Sequence, residues 1–396
     1  MLEDYSKVLG FGVEYREEGL ARFLAPKLPS SKNYAPTSLP AFYNPKSKSN
    51  RDMTILFLKA FFQDRKISVC EPLAGIGIRT IRMFLETGII ENSVVNDISR
   101  NAYELMKINF KLNNIESNVE IKNRDANELL TSLRRRFTYV DIDPAGSPAT
   151  FLENGFRSCF KKDSVLAATS TDLSALTGSK PTSCFRKYGV YSIKTPFSKE
   201  IALRILAGFM VKTAARLGLS AEPVLSFIKD HYARVFVKIR YGIERAKKVL
   251  KNLGWISYCK VCGNIQTSSI PDPPQLKCVF CNADMLTVGL VWIGELTNRE
   301  LVSKMLQEAL ENKQLYGDIS KLLQYLVDED SSMIGYYPVN YLASKLSVNP
   351  VKPTHLIEEL RKMGYRATHV HMDSSAVKTE APINIIKDIF KLLSKR

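Results

Sequence analysis

The chain has no run of about 18 apolar residues, so no membrane-spanning helix is expected. Its first residues, MLEDYSKVLG, lack a basic segment followed by an apolar core, which argues against a secretory signal. Cysteine is too sparse for a disulfide scaffold: seven in 396 residues, four of them in one stretch. A reducing, cytoplasmic setting is the simplest reading. No internal repeat or low-complexity tract is evident, and the four histidines are scattered.

What the chain has in excess is positive charge. Hydrophobic residues make up 45%, enough for a globular core, and the formal net charge is +16. An excess of that size favours a polyanionic partner, because each neutralised phosphate releases condensed counterions. Residues 20–51 hold six basic side chains (Arg22, Lys27, Lys32, Lys46, Lys48, Arg51), five prolines and no acid. Proline fixes φ and removes amide donors, so an irregular basic arm is expected there.

From Ile67 short apolar runs alternate with amphipathic ones. ISVCEP, SVVND, NVEIK and FTYVDIDP read as strands, and TIRMFLETG, SRNAYELMKINFKLNN and NELLTSLRR as helices. This rhythm predicts an α/β fold with a doubly wound parallel sheet. SVLAATSTD and RVFVKIRYG read as later strands, with a long helix from SKEIALRI onward between them. The expected organisation is a basic N-terminal arm at 1–60, an α/β domain at 61–253 and a smaller C-terminal domain at 254–396.

In an open parallel sheet, ligands sit outside the carboxyl ends of the strands, where strand order reverses. Gly75 and Gly77, in E-P-L-A-G-I-G-I-R, fall between a strand and a helix and allow close backbone approach. Asp97 ends the second strand, 20 residues after Gly77, where a carboxylate can accept both hydroxyls of an adenosine ribose. Asp125 ends the third, where it and the following amide can meet an adenine edge. Either acid alone could instead be a helix cap or a solvated loop residue. A dinucleotide fingerprint would need glycine at position 80, which is Thr80. S-adenosylmethionine, which has no pyrophosphate, suits the pattern better.

The fourth strand ends in D-P-A-G-S-P at 143–148. A carboxylate and proline at this strand end are where methyltransferases of exocyclic amines hold their target. Such an amine is a poor nucleophile because its lone pair is delocalised into the ring. Hydrogen bonds from its N–H groups to a carboxylate and a carbonyl let the nitrogen pyramidalise and aim the lone pair at a methyl sulfonium. Pro144 stiffens that turn, although a D-P turn at a strand end is also common without any such role.

Cys259-x2-Cys262, 15 residues, then Cys278-x2-Cys281 is the spacing of a four-thiolate zinc ribbon. Four thiolates close the metal's shell, so a Zn2+ held there would be structural. Unrelated thiols or a redox pair are the alternatives. Cys70, Cys159 and Cys184 read as buried and non-nucleophilic, and His369 and His371 as surface residues of a strand. The tail reads as a winged helix: three helices, the third from K-P-T-H, then a hairpin. Lys352, His355, Arg361 and Lys362 could face phosphates, or the module could serve only for packing.

N-R-D at 50–52, A-G-I-G-I-R at 74–79, Asn96-Asp97, D-P-A-G-S-P at 143–148 and K-P-T-S-C-F-R-K-Y-G at 180–189 occur in that order. Together they resemble the tRNA guanine-26 N2-dimethyltransferase family, of archaeal type, over nearly the whole chain. The resemblance implies a Rossmann-like methyltransferase domain, S-adenosylmethionine as donor and tRNA as partner. It implies that Arg51 and Arg79 contact the cofactor, Asp97 its ribose, and Asp125 with Ala126 its adenine. Asp143 would hold the guanine amine beside Pro144, and Phe42 would stack on the base. No obligate protein partner and no membrane association are expected. The family writes D-P-F-G where this chain has Ala145, so one aromatic wall is absent or comes from elsewhere. Two further readings are a DNA amino-methyltransferase, against which Gly146 and Ser147 replace the expected proline and aromatic, and a non-catalytic RNA-binding protein on a methyltransferase scaffold.

Overall fold

After a short helix, α1 (Leu2–Leu9), the chain forms a hairpin of β1 (Val13–Glu18) and β2 (Ala21–Pro26). The computed structural model describes residues 2–30, 34–160 and 162–395. The stretch expected to be an irregular arm is ordered at both ends. Ala21, Phe23, Leu24 and Ala25 are buried in β2 while Arg22 points out, and helix α2 (Lys48–Phe62) begins at Lys48. Burial of the alternate apolar residues outweighs the basic composition. The prolines act as breakers only between these elements, where Pro36 and Pro45 open single 3-10 turns. Lys32 lies outside the described residues.

The alternating segment folds as β3 (Ile67–Glu71), α3 (Ile78–Thr87), β4 (Ile90–Asn96), α4 (Arg100–Leu112), β5 (Val119–Lys122), α5 (Ala126–Ser132), β6 (Tyr139–Ile142), α6 (Leu152–Ser158) and β7 (Lys162–Ser170). The strands are parallel in the order β5-β4-β3-β6-β7. β3 and β6, the middle strands, are almost wholly buried, as a sheet covered on both faces requires. The chain steps from β3 outward through β4 to β5, then returns to β6 on the other side of β3. Strand order therefore reverses between β3 and β6, and the crevice outside their carboxyl ends is the ligand position of such a sheet.

The hairpin is fastened to this sheet through α4. Asn109 accepts from the Leu24 amide (2.8 Å) and donates to its carbonyl (3.1 Å); Asn113 does the same for Arg22 (3.1 and 2.6 Å). Four residues along a helix advance about 6 Å, close to the repeat of alternate strand residues, so two side-chain amides stand in for a neighbouring strand. Beneath them Phe23, Leu24, Ile76, Ile81, Leu105, Met106 and Phe110 form one core.

The chain divides into two compact units, residues 1–168 with 303–320 and residues 169–302 with 321–396. Within the first, residues 303–320 are held by Tyr316, whose hydroxyl donates to buried Glu86 (2.7 Å).

The second unit contains α7 (Leu173–Leu176), α8 (Pro181–Tyr188) and α9 (Ser198–Arg216), then the antiparallel pair β8 (Leu219–Lys229) and β9 (Tyr232–Tyr241), and α10 (Ile243–Leu250). A three-stranded antiparallel sheet of β10 (Leu253–Tyr258), β11 (Ile265–Ser269) and β12 (Leu286–Trp292) carries the cysteine-rich segment. Helices α11 (Arg299–Glu311) and α12 (Lys313–Asp328) each contribute residues to both units.

The tail has the expected winged-helix order: β13 (Tyr337–Pro338), α13 (Val339–Leu346), α14 (Pro353–Lys362), a hairpin of β14 (Ala367–His369) and β15 (Ala376–Thr379), and α15 (Ile383–Leu393). Its apolar core, including Leu342, Leu356, Leu360, Ile386 and Phe390, also contains Cys259, Cys262 and Cys278. His371 departs from the expected surface position. It lies beyond β14, its side chain 2% exposed, with Nδ1 2.6 Å from Glu329. The Glu329 carboxylate, which also accepts from buried Lys378 (2.8 Å), draws the ring inward. Among the described residues no helix is long and apolar enough to cross a membrane.

Candidate active site

The crevice outside β3 and β6 is built around one buried arginine. Arg79 sits in the first turn of α3, which starts at Gly77 in a left-handed conformation (φ 82°). A Cβ at Gly77 would lie 2.8 Å from the Phe110 ring, so glycine is required both for the turn and for the contact with α4. The Arg79 guanidinium donates to Glu71 (3.0 Å), Asn50 (2.8 Å), Thr54 (2.9 Å) and Asp143. Asp141 lies 3.7 Å away and accepts the Tyr139 hydroxyl (2.7 Å).

Three carboxylates therefore surround one fixed cation. Glu71, at the end of β3, is fully buried, and burial pushes its carboxyl up to about 7 against the pull of Arg79. Burial opposes the charge on Arg79, but Asp141, Asp143 and Glu71 raise its affinity for the proton further. Asp143 is the acid of the three that reaches the surface, with 19% of its side chain exposed. Pro144 beside it is buried and Ala145 is exposed.

A second group of residues lies along the same loop. Asp97, just past β4, accepts from the Gly75 amide and the Ser99 amide, each at 2.9 Å and each on a different oxygen. A carboxylate has about four lone-pair sites, so one on each oxygen remains for a pair of vicinal hydroxyls. Burial raises the Asp97 carboxyl, and the two amides oppose that shift. Gly75 has φ 55°, and a Cβ there would lie 2.7 Å from the Phe42 carbonyl and 3.5 Å from its ring. Phe42 thus lies against the glycine loop with 40% of its surface exposed. Asn96 ties the loops together, donating to the Pro72 and Arg124 carbonyls (2.9 Å each) and accepting from the Arg124 amide (2.9 Å).

Two residues given cofactor roles by resemblance have other partners in the structure. Arg51 is buried and makes a two-pronged pair with Glu18 (2.7 and 2.6 Å). Asp125 is the N-cap of α5, one oxygen accepting from the Asn127 (2.8 Å) and Glu128 (3.1 Å) amides, and Ala126 behind it is buried. The sequence reading missed the parts played by Glu71, Asn50, Thr54 and Asp141. N-R-D at 50–52 and E-P at 71–72 were visible as strings, but nothing in a string says that they close on Arg79.

The four cysteines converge. Their sulfurs all lie within 4.8 Å of one another, with Cys259–Cys281 at 3.5 Å and Cys262–Cys278 at 3.4 Å. Each C-x-x-C folds the same way. The Gly263 amide donates to the Cys259 carbonyl (2.9 Å) and the Asn282 amide to that of Cys278 (2.8 Å), both from positive φ. Cys70, Cys159 and Cys184 are buried, and burial pushes each thiol up, as inert core thiols should be.

Residues 21–391 match the family model described as N2,N2-dimethylguanosine tRNA methyltransferase. The chain belongs to this family. It is 36% identical over 388 residues to a tRNA (guanine(26)-N(2))-dimethyltransferase of Methanobrevibacter smithii, covering 96% of this chain and 97% of the relative. It is 33% identical to a tRNA (guanine(26)-N(2)/guanine(27)-N(2))-dimethyltransferase of Aquifex aeolicus, covering 86% and 87%. Among solved structures, Trm1 from Pyrococcus horikoshii in complex with S-adenosyl-L-methionine has a TM-score of 0.83 and 32% identity, covering 95% of this chain and 99% of that one. The Rossmann-like α/β architecture is thus shared with a family member that binds the methyl donor.

Proposed function

We propose that this chain is an S-adenosylmethionine-dependent tRNA methyltransferase that modifies N2 of guanine 26, twice, to give N2,N2-dimethylguanosine. The observation that carries the reading is Asp143 at the surface of the β3/β6 crevice, gripped from behind by buried Arg79. Bound S-adenosylmethionine supplies the electrophilic methyl group. The chain's own part is to hold the base and move a proton. Asp143 accepts an N–H of the guanine amine and keeps its lone pair pointed at the donor. As the new N–C bond forms, the methyl–sulfur bond would break with its electron pair left on sulfur as a neutral thioether, and the amine nitrogen, now cationic, gives a proton to the carboxylate or to water. Pro144 fixes the turn, and Phe42, lying on the glycine loop, offers a face for the base. The two open lone-pair sites of Asp97 match the ribose diol. Arg51, Gly75, Gly77, Arg79, Asp125 and Ala126 complete the proposed cofactor surround, Arg51 and Arg79 acting through the acids they already hold.

The four-thiol cluster is proposed to hold structural Zn2+. With Zn–S bonds of about 2.3 Å, tetrahedral sulfurs stand about 3.8 Å apart, close to the separations here. The basic residues of 1–60 and the domain 254–396 are proposed to contribute to holding tRNA, and residues 61–253 to carry the methyltransferase chemistry. A cytoplasmic site of action suits seven cysteines of which none is in a disulfide.

The test is unmodified tRNA transcript, donor and purified chain, with nucleosides read by mass spectrometry. Dimethylguanosine should appear at position 26 and vanish in a transcript with adenosine there. Asp143→Ala should lower turnover at least a hundredfold while calorimetry shows donor binding kept. Full activity in that variant would remove Asp143 from the mechanism.

A further inference from the structure

Helix α8 and the turn after it present two aromatic rings to solvent. Phe185 is 48% exposed and Tyr191 56% exposed, yet their rings are stacked on one another, centroids 4.4 Å apart and 13° from parallel. The frame beneath them is fixed. Cys184 and Tyr188, on either side of Phe185 in sequence, are buried, and the Tyr188 hydroxyl lies 3.1 Å from Ser170 Oγ. Gly189 turns the chain back (φ 69°), donating to the Phe185 carbonyl at 2.8 Å. Val190 and Ser192, flanking Tyr191, are buried, and the Ser192 hydroxyl donates to the Ala175 carbonyl (2.6 Å). The two rings are therefore held outward as a preformed stack.

The chain that carries them is basic in sequence. Residues 173–199 include Lys180, Arg186, Lys187, Lys194 and Lys199 and no acid. Lys187 is taken up by Asp172, and Lys199 donates to the Met372 carbonyl. Lys180, Arg186 and Lys194 are exposed. Fixed aromatic faces and exposed cations, here Lys180, Arg186 and Lys194 with no ion pair among the described residues, are the two components by which proteins hold unpaired nucleotides: stacking for the base, charge for the phosphate. An acidic or apolar protein partner would use the charge or the rings, whereas RNA uses both.

We infer that Phe185 and Tyr191 form a stacking platform for an unpaired base of the tRNA body, with Lys180, Arg186 and Lys194 meeting its phosphates. The inference rests on the proposed tRNA substrate and adds a contact separate from the methylated guanine.

The experiment uses the full chain and unmodified tRNA transcript. Tyr191→Leu and Phe185→Leu keep apolar bulk but remove the π faces. Combined, they should weaken tRNA binding about ten- to hundredfold and raise KM for tRNA in proportion, with kcat and donor affinity kept. Tyr191→Phe should bind like wild type. Lys180→Ala and Lys194→Ala, which leave the frame untouched, should each weaken binding and flatten its dependence on salt. Binding by the double leucine variant within twofold of wild type would overturn the platform, as would an equal loss in Tyr191→Phe. If wild-type protein neither binds nor methylates tRNA, it is the proposed function that fails instead.

Discussion

Arg79, in the first turn of α3, is ion-paired with Asp143 in the loop after β6, so the two strands that flank the crevice are joined by a single guanidinium. The same group reaches Glu71, Asn50 and Thr54, which needs a planar fork with donors on several edges. Arg79→Lys keeps the charge and loses the fork. It should lower kcat about ten- to hundredfold, with tRNA affinity within a few-fold of wild type, because Asp143 loses its aim and not its contact. Arg79→Gln leaves buried acids without a cation and should destabilise the fold by about 3–5 kcal/mol in urea titrations. A lysine variant with wild-type kcat would show that Asp143 needs no such hold.

Glu71 sets a pH signature. Its carboxyl is pushed from an ordinary 4.5 up to about 7, burial being the main cause. The folded state thus binds this proton more tightly than the unfolded chain does. That contribution to stability is full below about pH 4.5 and is lost as pH rises through 7, on the order of 3 kcal/mol over the window. Urea midpoints measured from pH 5 to 8 should fall with pH from this source. Glu71→Gln should remove that part of the slope, even though its absolute stability is lower. Parallel slopes in the two proteins would contradict the assignment.

The cysteine cluster belongs to the core that carries the winged helix, since Cys259, Cys262 and Cys278 share it with Leu342, Leu356 and Phe390. Removing a metal held there should therefore loosen the tail and leave the crevice in the other unit intact. Elemental analysis should find one zinc per chain. Cys262→Ser or a strong chelator should lower the melting temperature and weaken tRNA binding while donor binding persists. A chain that purifies without metal and melts unchanged in the serine variant would sink the zinc assignment.

Much of this was legible in the residues. The βα rhythm from Ile67, the glycine loop, the acid after β4 and the paired C-x-x-C spacings all depend on near neighbours in sequence, and each took its expected place. What was not legible depends on partners brought by tertiary packing. Arg51 could be quoted as part of a motif, but its pairing with Glu18, 33 residues earlier, follows only once the folded hairpin brings Glu18 to it. The basic composition of residues 20–51 hid β2, whose inward residues are apolar. His371 alternates with His369 as a strand would, yet buried Glu329 takes its ring.

Asn109 joins the opening hairpin to the glycine loop. Besides its two bonds to Leu24, its amide donates to the Ile76 carbonyl (3.1 Å), between the two glycines. All of these groups are buried, so Asn109→Ala would leave the Leu24 amide and two carbonyls without their partner. The expected cost is about 2–4 kcal/mol in urea unfolding. Asn113→Ala, at a half-buried position whose bonds to Arg22 are exposed, should cost less than about 1 kcal/mol, since water replaces those bonds. Because Ile76 lies inside the glycine loop, Asn109→Ala should also raise KM for S-adenosylmethionine severalfold at a temperature where the variant is fully folded. Equal stability losses at the two asparagines would show that the strand edge, and not the buried link to Ile76, is what Asn109 supports.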